Sequence, residues 1–257
     1  MLETPAAHSE PRGVLGAAWS GLAGAVTFLT VVPLGRGGDI RRAAVWFPVV
    51  GAAVGALAGG VRAGLQPALG APVATVLALA ALVIVTGALH QDGLADTADG
   101  LGVRGDRERR LAAMRDSATG VFGTLALIGW ALLMVVVLDQ LSALHALEAL
   151  IAAAAIGRWA ALFHAAFSPP ARADGLGATF TVGPGALVVG SAVAVAVALL
   201  ACDLGPGLAA VAAGLAVAGL SVLEVRATLG GRTGDTLGAT VALSEAVVCT
   251  VLLGVWR

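Results

Sequence analysis

Long apolar runs separated by short polar stretches set the pattern of this chain. Residues 14–34, 43–61, 71–89, 121–138, 144–167, 186–204, 207–225 and 239–256 are largely apolar, and most approach the ~20 residues a helix needs to cross a bilayer. The pattern predicts an all-α, polytopic membrane helical bundle of about seven to eight spans. It reads as a single membrane-embedded domain over residues 1–257, with residues 1–13 a flexible tail. The first run is interrupted by glycines and closed by Pro33, so it either spans or lies partly in the interface. In the second run Gly51, Gly55 and Gly59 recur at helical spacing. That ladder of small residues permits close helix packing, inside the chain or between copies in a homo-oligomer.

Composition and charge narrow the picture. The chain is 58% hydrophobic and only 12% charged, with a mean hydropathy of +0.94, far from a soluble domain. A formal net charge of −1 gives no support to nucleic-acid binding. The first residues lack a basic region and predict no cleavable signal. Cys202 and Cys249 sit in separate apolar runs and read as buried, inert thiols. The polar segments 35–42, 90–120, 168–185 and 226–236 carry eleven arginines, among them Arg36, Arg172 and Arg226, whereas the intervening loops hold little beyond Arg62. Alternate loops are therefore basic. Arginine-rich loops face the cytoplasm, so the expected location is the bacterial cytoplasmic (inner) membrane, with the chemistry on its cytoplasmic face.

The segment 90–120 interrupts the apolar pattern and reads as the catalytic stretch. From His90 to Gly123 the chain holds six of its 16 acidic residues and five of its 15 arginines. Asp92, Asp96 and Asp99 fall within roughly 60° of one another on a helix. Three carboxylates on one face repel unless a cation lies among them, and hard oxygen ligands favour Mg²⁺ or Mn²⁺ over zinc. Gly93, Gly100 and Gly102 leave room beside them for phosphate or a second backbone. Asp116 reads either as a fourth ligand or as the partner of Arg115. Most of Arg104, Arg107, Arg109 and Arg110 are expected to meet membrane lipid headgroups.

Two further features point to anion binding. Arg158 lies in an apolar run and needs an anionic partner: a substrate phosphate or carboxylate, or a structural pairing with Glu148 or Glu245. His164, nearby in the same run, reads as a site residue or a structural hydrogen bonder. The run from Gly230 through Gly231, Arg232, Thr233, Gly234 and Asp235 to Ala239 is a glycine loop opening a helix, which presents free N–H groups to a phosphate. It is neither a Walker A nor a Rossmann motif. Acidic cluster, glycine loop and buried arginine together indicate Mg²⁺-dependent diphosphate chemistry in the membrane, by phosphoryl or prenyl transfer. A CDP-alcohol phosphotransferase would need Arg in place of Asp96. A divalent-cation transporter is the alternative from another class, although the acids cluster in one stretch rather than along several spans.

The run His90-Gln91-Asp92-Gly93-Leu94-Ala95-Asp96-Thr97-Ala98-Asp99-Gly100 resembles the H-L-D-G-x-A-D-T-x-D-G signature of the adenosylcobinamide-GDP ribazoletransferase (cobalamin synthase) family. Phe47-Pro48-Val49-Val50-Gly51, Met114-Arg115-Asp116-Ser117 through Gly123, Gly175-Leu176-Gly177 and Gly230 to Ala239 with Glu245 are similar to its other blocks, in order and spacing. Gln91 replaces the usual Leu. Val31 and Val32 stand where many members read Arg-Leu, which leaves Arg36 as the substitute. The resemblance implies a transferase of cobalamin (vitamin B12) biosynthesis that joins adenosylcobinamide-GDP to α-ribazole or its 5′-phosphate, releases GMP and uses Mg²⁺. It implies catalytic and metal-binding roles for Asp92, Asp96, Asp99 and Asp116. Substrate contacts are expected from His90, Gly93, Arg115, Arg158, Gly231, Arg232, Thr233, Gly234, Asp235 and Glu245.

Overall fold

The computed structural model of the protein describes residues 13–34 and 40–257, and every extended element among them is helical. In chain order these are α1 (Val14–Leu29), α2 (Ile40–Ala43), a short 3₁₀ turn (Ala44–Trp46), α3 (Phe47–Leu69), α4 (Ala71–Val85), α5 (Leu89–Gly102) and α6 (Arg107–Ala113). They continue as α7 (Val121–Asp139), α8 (Ala143–Phe167), α9 (Leu176–Thr179), α10 (Pro184–Cys202), α11 (Leu204–Thr228) and α12 (Gly234–Val255). Prolines open α3, α4 and α10, where the missing N–H is no loss. Residues 1–13, expected as a tail, and Arg36 lie outside the described residues apart from Gly13.

Six described helices are long and apolar enough to cross a membrane, and a seventh span arises only if α4 and α5 count as one. The expected upper count of eight is not reached, because α1 has only 16 residues. The α4–α5 pair is bent by 89°. Gly87 and Ala88 take consecutive left-handed conformations, φ 60° and 58°, and so turn the chain out of the span just before His90. The amide of Val31 donates to the Val85 carbonyl beside this break, at 2.8 Å.

The central helix is α8, buried along most of its length. Its alanine run, 152–155, 160 and 161, lets neighbours approach closely. The glycine ladder of α3 packs here: a Cβ on Gly51 would lie 2.4 Å from the Ala154 carbonyl oxygen, and one on Gly55 2.1 Å from that of Leu150. Of the two alternatives left open for the ladder, the structure takes the one within the chain. α7 joins the bundle through Trp130, whose Nε1–H donates to the Ala242 carbonyl of α12 at 3.1 Å. Cys202 and Cys249 are free and buried, as expected.

The connections gather at two ends. Arg62 was expected in a loop, but α3 continues past it and buries it completely. Its guanidinium donates to Thr75 Oγ1 of α4 (3.0 Å) and to the carbonyls of Leu138 (2.8 Å) and Leu141 (3.0 Å) after α7. Nearby, His145 stacks on Trp256. At the opposite end, Pro169 and Ala171 pair with Arg232 through backbone hydrogen bonds of 2.8 Å, and Arg107 donates to the Ala171 carbonyl. The acidic helix and the glycine loop at the start of α12 sit at this second end, whereas Arg158, Glu245 and His164 lie inside the bundle.

Candidate active site

The acidic helix α5 lies on α12, backbone to backbone. A Cβ on Gly93 would meet the Asp235 carbonyl oxygen at 2.5 Å, and one on Gly238 would meet the Leu89 carbonyl oxygen at 3.1 Å. Of the two expected uses of Gly93, room for phosphate or for a second backbone, the structure shows the second: the backbone of α12 lies against it. This contact brings the carboxylate ridge of α5 next to the glycine-loop end of α12. Asp96, half-buried, feels the negative charges of Asp92, Asp235 and Asp99 and the positive charge of Arg172.

Of the four expected metal ligands, Asp92, Asp96 and Asp99 stay within electrostatic reach of one another on α5. Asp99 caps α7: its carboxylate accepts from the amides of Gly120 (2.7 Å) and Gly123 (2.9 Å), and side chains on those glycines would collide with it. Its place in the ridge is therefore shared with a structural task. Asp116 sits exposed in the turn after α6 and accepts from the Ala118 amide at 3.0 Å. It does not pair with Arg115, whose Nη2 donates to both carboxylate oxygens of Asp174, at 2.7 and 2.9 Å. Asp235, expected as a substrate contact, takes the place beside Asp96. Among the described residues no three acidic, His or Cys side chains converge as a preformed metal cage.

The 230–236 loop has a definite construction. Thr233 and Thr236 form a reciprocal capping box at the start of α12, which satisfies two terminal amides. The amides of Gly234 and Asp235 make no hydrogen bond among the described residues and sit at the positive helix end. Gly231 serves packing: a Cβ there would lie 2.1 Å from the Pro169 carbonyl oxygen. Arg232 is buried and donates to the carbonyls of Ser168 and Phe180. Burial lowers its pKa from the ordinary arginine value. It fastens the 168–180 segment and forms one wall of a polar pocket that also includes Arg115, Arg172, Thr233, Gly234 and Asp235. Arg172 reaches across this pocket to Asp235 at 3.1 Å.

Arg158 takes the structural alternative. It is 1% exposed, pairs with Glu245 across α8 and α12, and lies 3.4 Å from Nδ1 of His90. Glu245 and His90 are buried with it, away from the polar pocket. His164 likewise bonds Thr240 at 2.8 Å inside the bundle. Arg107 and Arg110, expected at headgroups, are tied to the Ala171 and Leu101 carbonyls.

Comparison with known proteins settles the family. Residues 21–253 match the family model described as cobalamin-5-phosphate synthase. The chain belongs to that family. A relative from Azorhizobium caulinodans, named adenosylcobinamide-GDP ribazoletransferase, is 44% identical over 80% of this chain and 82% of its own length. Relatives of the same name from Bradyrhizobium diazoefficiens and Klebsiella pneumoniae are 41% and 39% identical, over 88% and 89% of this chain and 90% and 97% of their own. No solved structure matches. This cobalamin-5-phosphate synthase family member is a transferase of cobalamin biosynthesis built on membrane helices, and the match decides against the transporter alternative. The sequence reading placed Arg172 only in a topology-setting loop and left Asp174 without a role. Two flanking glycine-containing stretches, 175–177 and 230–234, were the signal that this loop closes on α12: a Cβ on Gly177 would lie 2.7 Å from Thr233 Cα.

Proposed function

We propose that the protein joins adenosylcobinamide-GDP to α-ribazole or its 5′-phosphate in a Mg²⁺-dependent phosphoryl transfer at the cytoplasmic membrane face. A ribose hydroxyl of the ribazole attacks the cobinamide-side phosphorus, the bond to the bridging diphosphate oxygen breaks, and GMP leaves. The names of the relatives support the substrates. The observation that carries the reading is the meeting of Asp92, Asp96 and Asp235 from two helices beside a pocket holding Arg115, Arg172 and the α12 N-terminus.

The donor set fits magnesium. Asp92, Asp96 and Asp235 bring three carboxylates against Arg172, an excess of negative charge made of hard oxygen. Mg²⁺ binds through one or two carboxylates together with water and substrate phosphate, so a closed protein cage is not required. Asp92 and Asp96 would hold the ion, with Asp235 joining on release from Arg172. When bound, Mg²⁺ offsets charge on the diphosphate and on the departing GMP. Arg115 and Arg172 exchange their carboxylate partners for phosphate oxygens, which a guanidinium grips through two parallel N–H bonds. The amides of Gly234 and Asp235 add fixed donors to the same anion. A ridge carboxylate that is not holding metal takes the hydroxyl proton.

GMP release by the purified protein in lipid, given both substrates, tests this. Release is expected to require Mg²⁺ and both substrates, and to fall at least 10³-fold in Asp96→Asn with the unfolding temperature preserved. Near-normal turnover in that variant would remove Asp96 from the mechanism, and no release from folded wild-type protein would remove the reaction.

A further inference from the structure

Arg232 holds the 168–180 segment from both ends. Its Nη1 donates to the carbonyl of Ser168, where the segment leaves α8, and its Nη2 to that of Phe180, just after α9, at 2.9 Å. Its backbone takes the positions between: the amide donates to the Pro169 carbonyl and the carbonyl accepts from the Ala171 amide, each at 2.8 Å. These two bonds form a single parallel bridge between Pro170 and Arg232. One residue thus makes four hydrogen bonds to one loop. The loop continues into Arg172, which reaches Asp235, three residues beyond Arg232. Both terminal nitrogens of Arg232 are engaged by carbonyls, and the residue is 5% exposed. The guanidinium groups of Arg115 and Arg172 are more open, and among the described residues they bond only carboxylates.

We infer that Arg232 is a positioning residue: it does not grip substrate but sets where Arg172 stands. The inference rests on the reading above, in which Arg172 holds substrate phosphate, and it reassigns a residue expected among the substrate contacts. A guanidinium is planar and carries five donors in fixed directions, so one group fixes two carbonyls at once. Burying it is costly unless such partners satisfy it. The Ser168 and Phe180 carbonyls do so, and the same bonds fix both ends of the loop against the start of α12. Gly177 lets the loop close: a Cβ there would lie 2.7 Å from Thr233 Cα and 2.9 Å from the Arg232 carbonyl oxygen. Arg107 adds a tie from α6 at the Ala171 carbonyl. Arg172 and Asp174 therefore stand on a short stretch between fixed points, and a grip held in place beforehand loses little freedom when phosphate arrives.

Equilibrium dialysis of the protein in lipid tests this, with adenosylcobinamide-GDP and ribazole 5′-phosphate each supplied alone so that no turnover occurs. Arg172→Gln is expected to raise the Kd of whichever ligand places its phosphate in the pocket by about 10–100-fold, the effect of losing a charged hydrogen bond. Arg232→Lys keeps the charge but cannot span both carbonyls. It should raise the same Kd and add little when combined with Arg172→Gln, because the two act as one unit. Gly177→Ala, which displaces the loop and leaves the Arg232 side chain in place, should act as Arg232→Lys does, and it carries the test if that variant fails to fold. Hydrogen exchange separates positioning from contact. The backbone amides of residues 171–180 should lose protection in Arg232→Lys and Gly177→Ala and keep it in Arg172→Gln. A raised Kd in Arg232→Lys with protection intact would show that Arg232 touches the ligand, and overturn the inference. Fully additive losses in the double variant, or an unchanged Kd in folded Arg232→Lys, would also overturn it. An unchanged Kd for both ligands in Arg172→Gln alone would instead identify the phosphate grip itself as the failed reading, and the inference would fall with it.

Discussion

Single residues at this site divide between chemistry and construction. Asp96 has no hydrogen-bond donor among the described residues, whereas both oxygens of Asp99 cap α7. Asp99→Ala is therefore expected to destabilise the protein by about 1–2 kcal/mol, read as a lower unfolding temperature in detergent, whereas Asp96→Asn loses activity without that shift. Gln91 is a different case. It is 6% exposed, and neither its amide oxygen nor its nitrogen has a partner. Gln91→Leu, which restores the residue usual in the resembling signature, is expected to stabilise by about 1–3 kcal/mol with turnover retained; a lower unfolding temperature would show that Gln91 has a polar partner in the folded protein. The spacing of Asp92, Asp96 and Asp99 was enough to place them on one helix face. That Asp99 is also a cap was not legible, because it depends on how helices far apart in sequence meet. Arg158 shows the same limit: periodicity marked it as needing an anion, but only packing chose Glu245 over a substrate phosphate.

Among the elements, α3 shows how completely packing can consume a motif. Its glycines are not equivalent: Gly51, Gly55 and Gly59 press on α8, whereas nothing lies within 4 Å of a Cβ built on Gly60. Gly55→Ala is expected to destabilise by about 1–3 kcal/mol through overpacking. Gly60→Ala should instead be neutral or stabilise by up to about 1 kcal/mol, the ordinary helical preference for alanine. Comparing the two unfolding temperatures checks this, and equal effects would contradict the intramolecular ladder. The apolar runs located most spans to within a few residues, because continuous hydropathy survives any packing arrangement. The break after α4 was hidden by the same continuity. Residues 83–89 read as one apolar run, but the left-handed pair Gly87–Ala88 turns the chain by 89° within it.

For the molecule as a whole, the two ends differ in character. One holds Arg62, the turn after α7 and the Trp256 stack; the other holds the acidic helix, the polar pocket and nearly all the arginines. On the proposed orientation, which puts the arginine-rich end in the cytoplasm, a cysteine replacing Arg104 is expected to react with an impermeant maleimide only in opened or inverted membranes. One replacing Gly205, at the far end, should react in intact cells. The native cysteines are buried and contribute little background. The reverse labelling pattern would invert the topology. The Gly93–Gly238 crossing also bears on motion. With backbone against backbone, α5 and α12 have no side-chain layer along which to slide, so they move as one body. Main-chain contact thereby sets the spacing between the carboxylates of α5 and the N-terminus of α12.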